Sequence, residues 1–161
     1  MTVENMTVIS IRDATPDDRD FMFDQAARLA AVAELPWHAE RDVLAFQHRY
    51  MNAAFARPAS ETACFIAEDE TSLRLGYVFA EASTDFVTLE PCAYVTVLAV
   101  TEAAKGQGVA ARLMQAAEDW GRTQGFRLIC LDVLANNQRA RAFYARQGYL
   151  DDSLRLTKPL R

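Results

Sequence analysis

Several features are scarce in this 161-residue chain, and each absence excludes a class of protein. No run of Lys and Arg occurs and the formal net charge is −5, which argues against nucleic acid as the main partner. No apolar run approaches the length of a membrane span, and residues 1–12 lack the apolar core of a signal peptide. We therefore expect a cytoplasmic protein with no membrane partner.

Cysteines are also few, and they are widely separated. Cys64, Cys92 and Cys130 form no C-x-x-C pair and do not have the spacing of metal ligands. An odd number of cysteines suits a reducing compartment, and Cys64 and Cys130 lie in apolar runs, where cysteine acts as a small core residue. We therefore expect no metal.

The rest of the composition is that of an ordinary globular protein. About half of the residues, 51%, are apolar and 24% are charged, so the chain can form a core and is not disordered. No repeat, low-complexity segment or linker interrupts it, and its length suits one domain. We predict a single domain over residues 1–161.

Hydrophobic periodicity predicts strands alternating with helices in an α/β fold with a mixed sheet. The continuous apolar run at residues 93–100 is typical of a central strand. Predicted strands lie at residues 8–12, 63–68, 73–81, 93–100, 126–134 and 150–158, and predicted helices at residues 15–33, 41–55, 108–124 and 137–146.

The stretch from residue 98 to residue 114 is the most informative part of the chain. An apolar run ends at Val100, a polar turn containing Gly106 and Gly108 follows, and a helical pattern then begins. Glycines let the backbone approach an anion closely, and the free N–H groups of a helix's first turn point at it. The pattern predicts a site for a phosphorylated ligand.

Two familiar phosphate-binding turns fit this stretch less well. A P-loop needs Lys and then Ser or Thr around its last glycine, whereas Val109 and Ala110 follow Gly108. A dinucleotide fingerprint, G-x-G-x-x-A, is matched by residues 106–111, with Asp132 downstream. However, five residues separate this turn from its strand, and too few elements follow Asp132 for a doubly wound sheet.

A third pattern matches better. Residues 105–110, KGQGVA, resemble the Q/R-x-x-G-x-G/A signature of the GCN5-related N-acetyltransferase (GNAT) superfamily. Residues 137–149, NQRARAFYARQGY, resemble the second signature of that family, and residues 11–15 resemble its usual opening. Lys105 departs from the usual Gln or Arg; it keeps the charge of Arg but lacks a bidentate fork. The resemblance covers nearly the whole chain.

The resemblance implies a mixed, mostly antiparallel sheet with helices on both faces and splayed central strands. It implies acetyl-coenzyme A as co-substrate and transfer of an acetyl group to a primary amine, for which we expect a small molecule. A protein amino group is an alternative acceptor, and a non-catalytic sensor that binds acyl-coenzyme A is an alternative function. Homodimers are common in the family.

The resemblance also implies roles for particular residues. The N–H near Leu98 would polarise the thioester carbonyl, and Tyr144 would be the general acid, unless it only lines the pantetheine slot. Asn137 would hydrogen-bond the pantetheine arm, cap its own helix, or both. The predicted cofactor-binding residues are Leu98, Val100, Lys105, Gly106, Gln107, Gly108, Val109, Ala110, Ala111, Asn137 and Tyr144, and the predicted catalytic residues are Leu98 and Tyr144.

The general base and the acceptor site are less well defined by the sequence. Residues 93–100 contain no acid, and the acids that flank them, Glu81, Asp85 and Glu90, are as readily solvated loop residues. We expect the acceptor site to form from the first two helices and their connection, where Trp37 either walls a pocket or belongs to the core. Residues 86–89 would cap that pocket or form a dimer contact.

Overall fold

The computed structural model describes residues 8–31 and 35–160. The predicted end of the first helix, near residue 33, lies outside the described residues. The strands are β1 (Ser10–Asp13), β2 (Thr62–Glu68), β3 (Arg74–Thr84), β4 (Pro91–Val100) and β5 (Ile129–Leu131), and the helices are α1 (Arg19–Ala31), α2 (Glu40–Phe55), α3 (Val109–Thr123) and α4 (Gln138–Arg146).

The five strands form one sheet in the order β1-β2-β3-β4-β5. Strands β1 to β4 pair antiparallel with their neighbours, and β5 pairs parallel to β4. The predicted α/β class with a mixed, mostly antiparallel sheet is confirmed.

Helices cover both faces of the sheet, as predicted. On one face Met22 of α1 and Met51 of α2 belong to a core cluster with Tyr77 and Phe79 of β3, and the Tyr77 hydroxyl donates to the Met22 carbonyl at 3.2 Å. On the other face α3 contributes a fully buried side chain, Leu113, to a second cluster. We call these surfaces the α2 face and the α3 face of the sheet.

A buried carboxylate joins β1, β3 and the start of α1. Asp18, whose side chain is fully buried, accepts two hydrogen bonds from the Arg12 guanidinium, at 2.8 and 3.0 Å, and one from Arg74 at 2.6 Å. The Thr15 backbone N–H donates to the same carboxylate at 2.8 Å. These donors, Arg12 above all, hold the pKa of Asp18 well below its usual range.

Strand β4 separates from β5 part-way along its length, which confirms the predicted splay. The pairing of β4 with β5 runs only from Ala93↔Ile129 to Val95↔Leu131. On the opposite edge of β4 the register with β3 shifts by one residue at Thr96, which is a β-bulge. The strands therefore part immediately after Val95 and Leu131, leaving an opening that we call the split.

The last third of the chain differs from the prediction. The strand predicted at residues 126–134 is reduced to three residues, and the strand predicted at residues 150–158 is wrong because residues 147–160 form no strand. Leu150, Leu154 and Leu156 are exposed. Apolar alternation produces a strand only where a neighbouring backbone accepts its hydrogen bonds, and β5 is too short to supply that neighbour.

The connection between α1 and α2 holds a second correction. Trp37 is 55% exposed, so the interpretation of Trp37 as a core residue is wrong. Its position in the turn that precedes α2 leaves more than half of the side chain in contact with solvent. Among the described residues no helix is both long and apolar enough to cross a membrane.

Candidate functional site

A groove of about 850 Å³ opens along the α3 face beside the split. It lies between the free edge of β4, the turn that precedes α3, and the start of α4. Ten of the eleven predicted cofactor-binding residues line it: Leu98, Val100, Lys105, Gly106, Gly108, Val109, Ala110, Ala111, Asn137 and Tyr144.

The floor of the groove is the glycine turn and the first turn of α3. Gly106 and Gly108 have φ values of +80° and +79°, a backbone region that side chains disfavour. A Cβ atom built on either glycine would meet no heavy atom within 4 Å, so the backbone there borders open space. The Arg112 N–H donates to the Gly108 carbonyl, so the N–H groups of residues 109–111 precede the first intrahelical bond.

Cationic side chains surround the mouth of the groove. Arg28 of α1 donates to the Val100 carbonyl and lines the groove, as does Arg139 of α4. Lys105 forms an ion pair with Glu102, and this hydrogen bond lowers the pKa of the Glu102 carboxyl. Sequence reasoning missed both arginines, because Arg28 lies 78 residues before Gly106 and Arg139 lies 31 residues after Gly108. Only the fold brings these two side chains to the glycine turn.

Helix α4 forms the opposite wall. The Asn137 side chain caps this helix, since its Oδ1 accepts a hydrogen bond from the Ala140 N–H at 3.0 Å. The half-buried Tyr144 ring contacts Phe143 and Tyr149 edge-to-face, with centroids 5.1 and 5.6 Å apart. Burial raises the pKa of Tyr144 to about 12, so its hydroxyl keeps its proton at neutral pH.

Gln107 is the predicted residue that does not line the groove. Its side-chain amide donates to the Ala103 carbonyl at 2.9 Å, across the short 3₁₀ turn at Glu102–Ala104. The glycine turn is therefore braced from outside by this side chain, while its glycines border the groove.

The three candidate base residues occupy different settings. Asp85 closes the turn between β3 and β4, where its Oδ1 accepts hydrogen bonds from the N–H groups of Val87 and Thr88. Glu90 lies in the same turn and pairs with Arg127 at 3.3 Å. Glu81 differs, because it lies on β3 directly opposite Tyr94 of β4 and is largely buried.

The α2 face beside the split carries further polar groups that the sequence did not single out as a set. The Tyr94 hydroxyl donates to Asp132, the first residue after β5, at 2.8 Å. The pKa of Tyr50 on α2 is raised chiefly by burial. The negative charges of Glu81 and Asp132 lie close enough to raise it further. The pairing of β3, β4 and β5 and the packing of α2 on the sheet bring these four residues together.

The two histidines lie away from the groove. His38 is exposed in the turn before α2, and the His48 ring packs edge-to-face on Phe23 with centroids 5.4 Å apart. In the part of the chain that the structure describes, no three His, Cys, Asp or Glu side chains are grouped as metal ligands would be.

Comparison with known families adds an independent observation to this geometry. The family model described as "Acetyltransferase (GNAT) family" matches residues 24–149. The chain belongs to the GNAT family. The matched region includes the glycine turn, the split and Tyr144, so the resemblance carried by the two sequence motifs is confirmed.

Sequence similarity to an individual curated protein covers only part of this chain. N-alpha-acetyltransferase 30 of Schizosaccharomyces pombe is 36% identical over 56 residues, which cover 35% of this chain and 37% of that protein. The chain therefore matches little more than a third of the length of this curated relative.

Solved structures of the GNAT family support the fold over nearly the whole chain. A provisionally assigned acetyl transferase from Pyrococcus furiosus has a TM-score of 0.80 at 23% identity, covering 95% of this chain and all of that chain. The aminoglycoside acetyltransferase AAC(6')-Iy, solved with a bisubstrate analogue of coenzyme A and acetylneamine, has a TM-score of 0.69 at 20% identity, covering 96% and 99%. At these identities the likeness concerns the fold alone.

Proposed function

We propose that this protein is an N-acetyltransferase that uses acetyl-coenzyme A to acetylate a primary amine of a small molecule. The observation that carries the proposal is one groove in which the glycine turn, the free edge of β4 and Tyr144 face one another. Membership of the GNAT family supports the same reaction class.

The residues of the groove fit acetyl-coenzyme A. The N–H groups of residues 109–111, at the positive end of the α3 dipole, would hold the pyrophosphate, and Gly106 and Gly108 leave the room that this approach needs. Arg28, Lys105 and Arg139 would add cationic charge for the phosphates. Leu98 and Val100 lie on an unpaired strand edge, to which the peptide-like pantetheine arm would add as a further strand.

Two groups of this chain would assist the transfer. The bound thioester supplies the acetyl group. The backbone N–H at Leu98 would donate to the thioester carbonyl oxygen, and the Tyr144 hydroxyl would protonate the departing thiolate sulfur. The pKa of Tyr144, raised to about 12 by burial, keeps that proton available at neutral pH. Asn137 caps α4 and also lines the groove, so its amide would contact the arm while holding the helix start.

A release assay for free thiol with a panel of amines tests this proposal directly. We expect coenzyme A release from acetyl-coenzyme A with at least one small amine, and tight binding of coenzyme A in isothermal titration. Binding without release across the panel would instead favour the non-catalytic sensor of acyl-coenzyme A. If the protein neither binds coenzyme A nor releases free thiol, the assignment of the groove is overturned.

A protein amino group remains a second candidate acceptor, because the curated relative named above is an N-alpha-acetyltransferase. Short peptides with free amino termini belong in the same panel. Release with peptides and with no small amine would replace the small-molecule acceptor by a protein one.

We further propose that two copies of the chain pair. Phe86, Val87 and Leu89 at the tip of the β3–β4 turn are more than 70% exposed, and so are Leu150 and Leu156 near the chain end. Phe86, Val87 and Leu89 lie within one turn, and contiguous exposed apolar side chains are typical of contact surfaces. Sedimentation at several protein concentrations measures the pairing, and a monomer at all of them would contradict it.

A further inference from the structure

The α2 face at the split presents a cluster that the cofactor groove does not use. Its members are Tyr50 and Phe46 of α2, Glu81 of β3, Tyr94 of β4, and Asp132 after β5. We call these five residues the α2-face cluster. The groove lies on the α3 side of the split and this cluster lies on the other side, so two ligands entering from opposite faces would meet there.

The register of the strands defines that meeting point. Val95↔Leu131 is the last pair between β4 and β5, so Thr96 and Asp132 are the first residues on either side of the split. Leu98, two residues after Thr96 on β4, lines the groove. Leu134, two residues after Asp132, lines it as well. Asp132 therefore lies where the split begins, two residues before Leu134 of the groove lining.

The cluster carries an excess of negative charge. Glu81 pairs with Arg57 at 3.0 Å, but the same guanidinium also pairs with Glu61 at 3.0 Å and donates to the Ala82 carbonyl. Asp132 is exposed, and among residues 8–31 and 35–160 no Lys, Arg or His forms an ion pair with it. Glu61 and Glu81 thus share one guanidinium, and Asp132 is the carboxylate of the cluster left for a ligand.

Aromatic rings and a directed hydrogen bond complete the cluster. The Phe46 and Tyr50 rings stack with centroids 5.5 Å apart, and Phe46 is 52% exposed. The Tyr94 hydroxyl, whose pKa is raised chiefly by burial and next by its bond to Asp132, remains a donor and fixes that carboxylate at 2.8 Å. An ammonium group is attracted by both of these features, the fixed carboxylate and the aromatic faces.

We infer that the α2-face cluster is the acceptor subsite and that it selects amines carrying two or more positive charges, with Asp132 binding an ammonium group at the entrance of the split. This inference rests on the proposed function, since it names the class of acceptor for the same reaction. Tyr94 acts as a positioning residue, because it holds the Asp132 carboxylate. Amines that carry a carboxylate or phosphate are disfavoured by the same excess of negative charge.

A pair of acceptors of equal length tests the inference. In the wild-type protein we expect kcat/KM for 1,4-diaminobutane to exceed that for 4-amino-1-butanol by about tenfold or more, since one charge-assisted contact is absent from the alcohol. Asp132→Asn should abolish most of that preference by raising KM for the diamine, while kcat stays within about threefold and the affinity for acetyl-coenzyme A is unchanged. Tyr94→Phe should reduce the preference by a smaller factor, about threefold, because the carboxylate remains but loses its donor.

A matched control separates the local contact from the effect of net charge. Asp119→Asn removes one negative charge from the exposed surface of α3 and should leave the preference unchanged. An unchanged preference in Asp132→Asn, or an equal loss in both asparagine variants, would overturn the inference. Asp132 is exposed, so a folded variant is expected, and its circular dichroism and melting temperature verify this.

Direct binding keeps the subsite testable if no amine is acetylated and the proposed function fails. Isothermal titration of 1,4-diaminobutane into the protein saturated with coenzyme A should then show binding that Asp132→Asn weakens and Asp119→Asn does not. No binding to the wild-type protein, or equal binding to all three, would refute the subsite independently of catalysis.

Discussion

The first two-thirds of this molecule and its last third are built differently. Every buried apolar side chain of the described residues lies between Ile9 and Ala117. Beyond them β5 has three half-buried residues, α4 buries none completely, and residues 150–160 are exposed throughout. The groove lies at the boundary between these regions, with a closely packed sheet edge on one side and a thinly packed helix on the other.

This difference in packing places the residues that stabilise the fold and two of the residues proposed to act on the cofactor in different regions. Regions that open or adjust around ligands are commonly the less stable parts of a protein, because they have few buried contacts to lose. Here the β4 edge and the start of α3 belong to the buried core, whereas Tyr144 and Asn137 stand on the thinly packed helix. Substitutions in the first region should therefore act mainly on unfolding, and substitutions in the second mainly on turnover.

The largest effect on stability is expected at Asp18. Asp18→Asn removes a buried carboxylate that holds Arg12 and Arg74 together, and should lower the free energy of unfolding by about 3 kcal/mol in urea denaturation. The native pKa of Asp18 is depressed, so its contribution is present above the unfolded pKa of about 3.9 and is lost as pH falls below it. The exposed neighbour Asp17 is the control, and a loss as large in Asp17→Asn would contradict the buried-anchor explanation.

A comparable effect, but on turnover, is expected at Tyr144. Tyr144→Phe keeps the ring contacts with Phe143 and Tyr149 and removes the hydroxyl, so kcat should fall by on the order of 10²-fold. The affinity for acetyl-coenzyme A and the melting temperature should barely change. The defect should shrink with an acyl donor whose leaving group is less basic, because such a thiolate needs less protonation.

Other outcomes at Tyr144 would assign it a different role. Normal turnover in Tyr144→Phe would leave it as a packing residue of the groove. Joint loss of cofactor affinity and turnover would make it a binding residue. Loss of thermal stability would break the contrast between the two regions.

An intermediate effect is expected at the glycine turn. Gly108→Ala places a methyl group at a φ of +79° and beside the groove, so it should cost about 1 kcal/mol of stability and lower the affinity for coenzyme A by about tenfold. Gly125→Ala is a matched control, because Gly125 has a φ of +78°, similarly open surroundings and a position outside the groove. Equal losses of affinity in both variants would show that backbone strain, and not the approach to the ligand, is responsible.

A smaller effect is expected from the charge beside that turn. Lys105→Ala should weaken coenzyme A binding only about threefold at low salt, because the Lys105 ammonium already pairs with Glu102. The effect should be smaller at high salt, because salt screens an exposed charge. Glu102→Gln should act in the opposite direction, since it frees Lys105 and removes a negative charge from the groove. A loss in Lys105→Ala larger than that in Gly108→Ala would mean that the side chain, and not the backbone, dominates binding.

The smallest effect on the folding of a single copy is expected in the exposed tail. The double variant Leu154→Ser, Leu156→Ser should change the free energy of unfolding of the monomer by less than about 0.5 kcal/mol, because neither side chain is buried. The same double variant should lower the dimer fraction in sedimentation if the tail contributes to pairing. A large loss of monomer stability would show that the tail packs on its own chain and that the two regions differ less than described.

Particular residues show how far the sequence leads at the site. The glycine turn is a local device, since Gly106, Gly108 and the first turn of α3 are contiguous, and ten of the eleven predicted residues line one groove. Gln107 does not line the groove, because its side-chain amide donates a hydrogen bond to the Ala103 carbonyl. The sequence pattern does not reveal this detail of the turn geometry. The core alternative for Trp37 and the strand predicted at residues 150–158 are wrong, because apolar character reveals a preference for burial but not whether a partner surface is available.

The sequence by itself determined the α/β class, the order of its first elements and the glycine turn, because each depends on short-range periodicity and on the φ preferences of glycine. The tertiary structure alone decided where β4 leaves β5, which arginines reach the mouth of the groove, and that Tyr50, Glu81, Tyr94 and Asp132 share one face. The last four residues lie up to 82 positions apart. Strand register and the packing of α2, which no local pattern encodes, set which of them become neighbours.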